Sequence, residues 1–353
     1  MTISRSHLVD PSRAGAYHLV NRCVRRGFLC GDRWEYRQQW VHDMVREHVA
    51  IFAIDVLAYA VMANHFHLVV TTHPERCATW SANDVAQRWA ALFPRRDAAG
   101  NLQQADPATL ANWAADPDWV AKHRGRLGSI SWFIKVMKER LARRANREDG
   151  CTGSFWQGRF TSVALLGQAA VIACMAYVDL NPIRAKVAET PETSRLTSVH
   201  DRIMARQAHR IANGLAKAAR PDAPPPNATP AAPRPGPEHG LWIAPIAACT
   251  PTSDQARALS PCSLTLDTYL ELVDQTGGIV RSGKRGAISD HLAPILARLD
   301  IDAEVWVRIM TQGGHFLGSA IGTAIERATE AARRGVKWLV DKLGLHRPAA
   351  PAT

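Results

Sequence analysis

Two histidines one residue apart, His65 and His67 in the run NHFHLVV, have types and spacing that could do chemistry. On a strand, side chains alternate between faces, so these imidazoles point one way while Phe66, Leu68 and Val70 point the other. The apolar set can pack beneath helices, which leaves the two rings together on the opposite face. Such a pair can share one metal ion or bind one phosphate. It can equally be a surface pair or a satisfied core pair, and the spacing alone does not choose. His18, in the run YHLVNRCV, could face the same side, as a structural residue or as an aid to DNA positioning.

The elements that must position these residues follow from periodicity. A strand is expected over Tyr17–Val24, then a helix from Arg33 to Phe52 with Asp32 placed to cap it. Trp40, Val41, Met44, Val45 and Val49 recur there largely at three- and four-residue spacings. Ile54–Val61 and His65–Thr71, joined by Met62-Ala63-Asn64, read as an antiparallel hairpin. Residues 74–126, with Trp80, Trp89, Trp113 and Trp119, lack one regular period and read as an insertion of small helices. A helix over Ser129–Arg147 carries the stripe Ile130, Phe133, Ile134, Met137 and Leu141. Lys135, Lys138, Arg140, Arg143, Arg144 and Arg147 occupy much of its remaining surface. A strand over Arg159–Leu165 and a helix over Gln168–Asp179, ended by Pro182, complete the series. This order fits an α+β fold: a ferredoxin-like or RRM-like antiparallel sheet, a split β-α-β arrangement with helices on one side. RNA-recognition modules and several DNA-nicking enzymes share that fold, so it does not decide function.

Composition narrows the partners. The 353-residue chain has a net charge of +11 and a pI near 9.7, an excess that favours a polyanion. An acidic membrane surface would also fit, with nucleic acid the preferred partner. No apolar run approaches the roughly 18 residues of a membrane span, and the N-terminus lacks a signal-peptide core. The seven cysteines are scattered, with no C-x-x-C pair, as in a reduced cytosolic protein. A cytoplasmic, nucleoid-associated protein is expected. Proline density at 220–240 marks an extended linker. Residues 255–345 beyond it read as a small helical C-terminal module, with LTLDTYLELVDQTG, a basic turn SGKRGAI, and helices around Ala303–Met310 and Thr323–Lys342. Arg281, Lys284 and Arg285 would permit further DNA contact there.

The flanking residues add a resemblance. AYAVMANHFHLVV resembles the strand-turn-strand of single-tyrosine HUH transposases, in which a histidine, a hydrophobic residue and a histidine stand at this place. About ninety residues later SFWQGRFTSVALL appears, followed by MAYVDLNPIRAKVAETPE. Together these segments resemble REP-associated tyrosine transposases over residues 14–205. The resemblance implies an HUH fold in which His65 and His67 hold Mg2+ or Mn2+ and Tyr177 is the nucleophile. It implies a 5′-phosphotyrosine intermediate with a free 3′-hydroxyl. The expected substrate is single-stranded or hairpin DNA at palindromic repeats, handled by a monomer or homodimer. A phenol is a poor nucleophile at neutral pH, and a metal on the scissile phosphate would offset that weakness.

Asn181 lies four residues after Tyr177, on the same helical face. Its amide oxygen either completes the metal site, as a polar residue one turn on does in related HUH transposases, or caps the helix before Pro182. Asp179 points elsewhere and is expected in solvent. Tyr17, Tyr36, Tyr59 and Tyr269 combine no helical site, polar residue one turn on and motif match. Lys135, Lys138, Arg143 and Arg144 could line the DNA backbone, with Arg159 nearby; the alternative is a solvated helix face. Trp156 or Phe155 could stack on an unpaired base or belong to the core. Three other functions remain open: a non-catalytic nucleic-acid-binding module on the same sheet, an HUH replication initiator or relaxase, and a hydrolytic metallonuclease. No Walker-type glycine loop is present, which argues against an ATP-driven helicase.

Overall fold

Residues 9–97, 99, 101–218, 236–246, 264–282, 292–312 and 320–339 are described by a computed structural model. Its strands are β1 (Gly15–Arg22), β2 (Ile54–Val61), β3 (His65–Thr72), β4 (Arg95–Arg96), β5 (Leu102–Gln103), β6 (Thr161–Leu165) and β7 (Ala320–Ile321). The first helices are α1 (Tyr36–Ile51), α2 (Pro74–Ala78), α3 (Ala82–Leu92), α4 (Pro107–Ala115), α5 (Pro117–Leu127) and α6 (Ile130–Glu148). After β6 come α7 (Gln168–Asp179), α8 (Asn181–Arg184), α9 (Ser198–Ala218), α10 (Leu266–Ser282), α11 (Leu292–Arg298), α12 (Ala303–Gln312) and α13 (Ala324–Arg333).

The apolar, β-branched sequences of β2 and β3 meet as a hairpin closed by Met62 N–H donating to the His65 carbonyl at 2.8 Å. The main sheet runs β2-β3-β1-β6-β7. Its pairs β2–β3, β3–β1 and β1–β6 are antiparallel, while β6–β7 is parallel. Alternation along β1 and β3 sends Leu19, Phe66, Leu68 and Val70 into one core with α1 and α6. Val69, with Ala58 and Ala60 of β2, enters a second core with α7.

Helices on one side only were expected; the structure has them on both. The reason lies in α7, whose residues from Ala169 to Asp179 are all buried. A helix without a polar face must be covered all round. The sheet covers one side, and α10 and α12 pack on it from the other. Gly167, at φ 82, is the turn that sends the chain from β6 into this helix.

The segment expected as a small extension beyond the linker therefore shares a core with the N-terminal part. Tyr269 and Trp306 are fully buried in that core, and Leu166 N–H donates to the Ile321 carbonyl at 2.7 Å beside β7. Asp179, expected in solvent, is likewise fully buried. It accepts hydrogen bonds from the Ser198 hydroxyl, Val199 N–H and the Tyr269 hydroxyl.

Residues 74–126 form α2 to α5 and the β4–β5 ladder, resting on α1 and α6. Residues 220–235 of the proline-rich stretch, Lys284, Arg285, the Asp32 side chain and residues beyond 339 lie outside the described residues. Among the described residues no helix is long and apolar enough to cross a membrane.

Candidate active site between the sheet and α7

β3 presents His65 and His67 toward α7, and β1 adds His18 to the same face. Antiparallel register pairs Val20 with His67 and His18 with Val69. The His18 and His67 rings stack at 5.2 Å between centroids, and their Nε2 and Nδ1 atoms are 2.9 Å apart. His65 meets His67 edge-on at 4.9 Å and bonds the Asn64 side chain at 2.6 Å.

Tyr177 reaches this cluster from α7. It is 5% exposed, and its ring centroid lies 6.1 Å from His67 and 6.3 Å from His18, edge-on to both. Asn181, at the start of α8, turns its amide onto His67 Nε2 at 3.1 Å. With Asn181 N–H donating, Nε2 carries a lone pair, so Nδ1 carries the proton and donates to His18 Nε2. His65, His67, Tyr177 and Asn181 are thus brought into one site, with His18 added.

Arg184 also belongs to the site, although its role is not singled out from sequence. Its guanidinium carbon sits 3.9 Å over the Tyr177 ring. Tyr177, Asn181 and Arg184 recur at i, i+4 and i+7, the signal of one helical face that could have found it.

Burial, and secondarily the positive charge of Arg184, holds His18 down to a pKa of about 3. Burial, then Arg22 and Arg184, does the same to His65, also about 3. His67 falls well below the usual histidine range through burial, its two histidine neighbours and the same arginines. His48, in the other core against Phe52 and Phe133, is at about 3, again chiefly through burial. All four rings are neutral near pH 7. Because their folded pKa values lie below the unfolded value, stability is full above about pH 6.5 and is lost as pH falls toward the folded values. At pH 5 each such ring removes on the order of 2 kcal/mol. Acid titration followed by circular dichroism should show unfolding between about pH 6 and 4; a chain still stable at pH 4 would contradict these neutral buried rings.

Among the described residues no group of three His, Cys, Asp or Glu side chains could hold a metal ion. A cation here would have two neutral imidazoles and the Asn181 amide. Imidazole nitrogens by themselves favour zinc or copper, whereas the amide oxygen and a phosphate suit Mn2+ or Mg2+; without a carboxylate this donor set binds such hard cations weakly. The residues fit a loosely held, exchangeable cation.

The DNA-contact candidates lie differently. α6 covers the opposite face of the sheet from the histidines. Lys138 donates to Asn21 Oδ1 and the Gly158 carbonyl at 3.1 and 2.5 Å, tying α6 to the approach to β6. Lys135 lies over Trp132 and Arg144 over Trp40, 4.5 and 3.6 Å from the ring centroids. Arg143 pairs with Glu139 at 2.6 Å, and Arg159 is exposed. Trp156 and Phe155, offered as stacking platforms, are core residues at 6% and 4% exposure. The indole N–H of Trp156 donates to the Lys138 carbonyl at 3.0 Å, and its ring packs on Phe66.

No protein-family model matches the chain, and no curated protein matches it. Among solved structures, a REP-associated tyrosine transposase bound to a REP hairpin aligns with 66% of this chain and 98% of its own. The identity is 13% and the TM-score 0.34, too slight a likeness to assign a role to any residue here.

Proposed function

We propose that the chain cleaves and rejoins single-stranded DNA at hairpin or palindromic repeats, through a 5′-phosphotyrosine on Tyr177. The carrying observation is the meeting of Tyr177 with His65, His67 and Asn181 at the interface of β3, α7 and α8. The strand order β2-β3-β1-β6, antiparallel throughout, supports an HUH-type, ferredoxin-like scaffold for it.

Tyr177 Oη attacks phosphorus, the bond to the 3′ oxygen breaks, and the 3′-hydroxyl leaves with a proton. The phosphotyrosine stores the diester bond, so a 3′-hydroxyl reverses the step without ATP. A Mg2+ or Mn2+ ion held by His65, His67 and Asn181 would supply Lewis-acid polarisation of the phosphate. His18, hydrogen-bonded to His67 Nδ1, fixes the tautomer that keeps a lone pair on Nε2, which accepts from the Asn181 amide here and would face a cation once that amide turned its oxygen inward. His18→Phe is accordingly expected to weaken Mn2+ binding by roughly 10- to 100-fold. Calorimetric titration checks this; unchanged affinity would remove His18 from the site.

The test of the reaction is a 3′-labelled hairpin oligonucleotide with single-stranded flanks, incubated with protein and Mn2+. A label retained on protein in a denaturing gel, and lost with chelator, is the expected result. Cleavage with no protein-linked label indicates a hydrolytic nuclease. Binding without cleavage indicates a recognition module on the same sheet.

A further inference from the structure

We infer that Arg184 is an anion-binding residue, built to hold one phosphodiester group of the nucleic-acid strand. The identity of the anion rests on the function proposed above; the presence of an anion seat does not.

The observation is an uncompensated charge. Arg184 Nη1 is buried with no hydrogen-bond partner, and among the described residues no carboxylate pairs with the guanidinium. Its surroundings are the Tyr177 ring and three neutral imidazoles whose pKa values its charge helps depress. Arginines buried elsewhere in the molecule have counter-ions, although Arg202 and Arg334 also keep buried N–H groups with no hydrogen-bond partner. Arg37 is paired with Glu148 and Asp149, Arg202 with Glu238 and Arg334 with Glu330. Withdrawing a cation from water without a counter-ion is costly, and such a group persists where something else supplies the charge.

The shape of the site identifies that charge. Burial lowers the pKa of Arg184, while the adjoining Tyr177 opposes the shift; the residue stays protonated and offers a planar fork of N–H donors. That fork matches phosphate oxygens. Arg22 stands opposite His65 in the strand register and is exposed, so the cluster has one cation within and one at its rim. A phosphodiester carries a single charge at any working pH and neutralises one arginine. Bound at Arg184, it would lie beside the Tyr177 ring and the Asn181–His67 pair, where the proposed reaction needs it.

The competing role for Arg184 is a packing cap on Tyr177. The full-length protein, Arg184→Met and Arg184→Lys separate the two, using thermal melting with and without inorganic phosphate, and oligonucleotide binding across salt concentrations in chelator. Arg184→Met should melt no lower than the native chain and lose the stabilisation by phosphate. It should bind the hairpin oligonucleotide roughly tenfold more weakly, with a salt slope reduced by about one. Arg184→Lys should recover part of the affinity. A lower melting temperature for Arg184→Met with unchanged phosphate response and salt slope would establish the packing role and overturn the inference. So would an equal phosphate effect in both proteins, because the anion then sits elsewhere. Tyr177→Phe keeps the two proposals distinct. If no adduct ever forms but the Arg184 effects appear, the anion seat stands and the cleavage reaction falls; an adduct with no Arg184 effect on binding gives the reverse.

Discussion

Tyr177→Phe is expected to abolish the protein–DNA adduct, lowering strand transfer by at least ~1,000-fold, the loss that follows removal of a covalent nucleophile. Hairpin affinity and stability should change by no more than about 1 kcal/mol, because the substitution deletes one hydroxyl. The ring would keep its edge contacts with His18 and His67 and its place beneath Arg184. Denaturing electrophoresis of labelled oligonucleotide reads the adduct, and anisotropy in chelator reads the affinity. Other tyrosines are poorly placed to substitute. The Tyr59 and Tyr269 hydroxyls are engaged by Asp201 and Asp179, and burial with neighbouring carboxylates raises Tyr59 further from ionisation. Tyr36, half-exposed, is bonded to Glu148 on a distant helix. An adduct surviving in Tyr177→Phe would therefore sink the assignment of the nucleophile, not merely reduce its share.

Local pattern was legible where it was self-sufficient. Ile54–Val61 is a strand-like run before a short turn, and Gln168–Asp179 is an apolar helical run; both elements have these limits in the structure, with Pro182 lying inside the short helix α8 that follows. The facing of His65 and His67 follows from strand alternation alone. What sequence did not disclose depends on partners far away in the chain. Asp179 looks like a solvated residue until Val199, 20 positions on, and Tyr269, 90 positions on, are folded against it. Trp156 reads from sequence as either a stacking platform or a core residue, and the Lys138 carbonyl and Phe66 make it core. One global feature was readable and bears on both: a helix as uniformly apolar as α7 requires a second covering layer, and that layer comes from residues beyond 264.

That covering layer leads to the second large effect, at Asp179. The carboxylate joins α7, α9 and α10: Oδ1 accepts from the Ser198 hydroxyl and from Val199 N–H at 3.0 Å, Oδ2 from the Tyr269 hydroxyl at 2.5 Å. Asp179→Ala leaves three donors facing a cavity in a fully buried place. The expected cost is on the order of 3–5 kcal/mol, a large part of the roughly 5–15 kcal/mol that stabilises a typical domain. Asp179→Asn keeps an acceptor for two donors and should cost about 1–2 kcal/mol. Urea unfolding measures both. The consequence extends to the site, because α10 packs directly on α8, with Gly277 close against Leu180 and Ile183. Loosening α10 removes the support behind Asn181 and Arg184. Asp179→Ala should therefore lose metal and phosphate affinity at temperatures where its sheet remains folded, an effect local to the α8 turn. If Asp179→Ala unfolds with native stability, the helices beyond residue 264 are not what holds that turn in place.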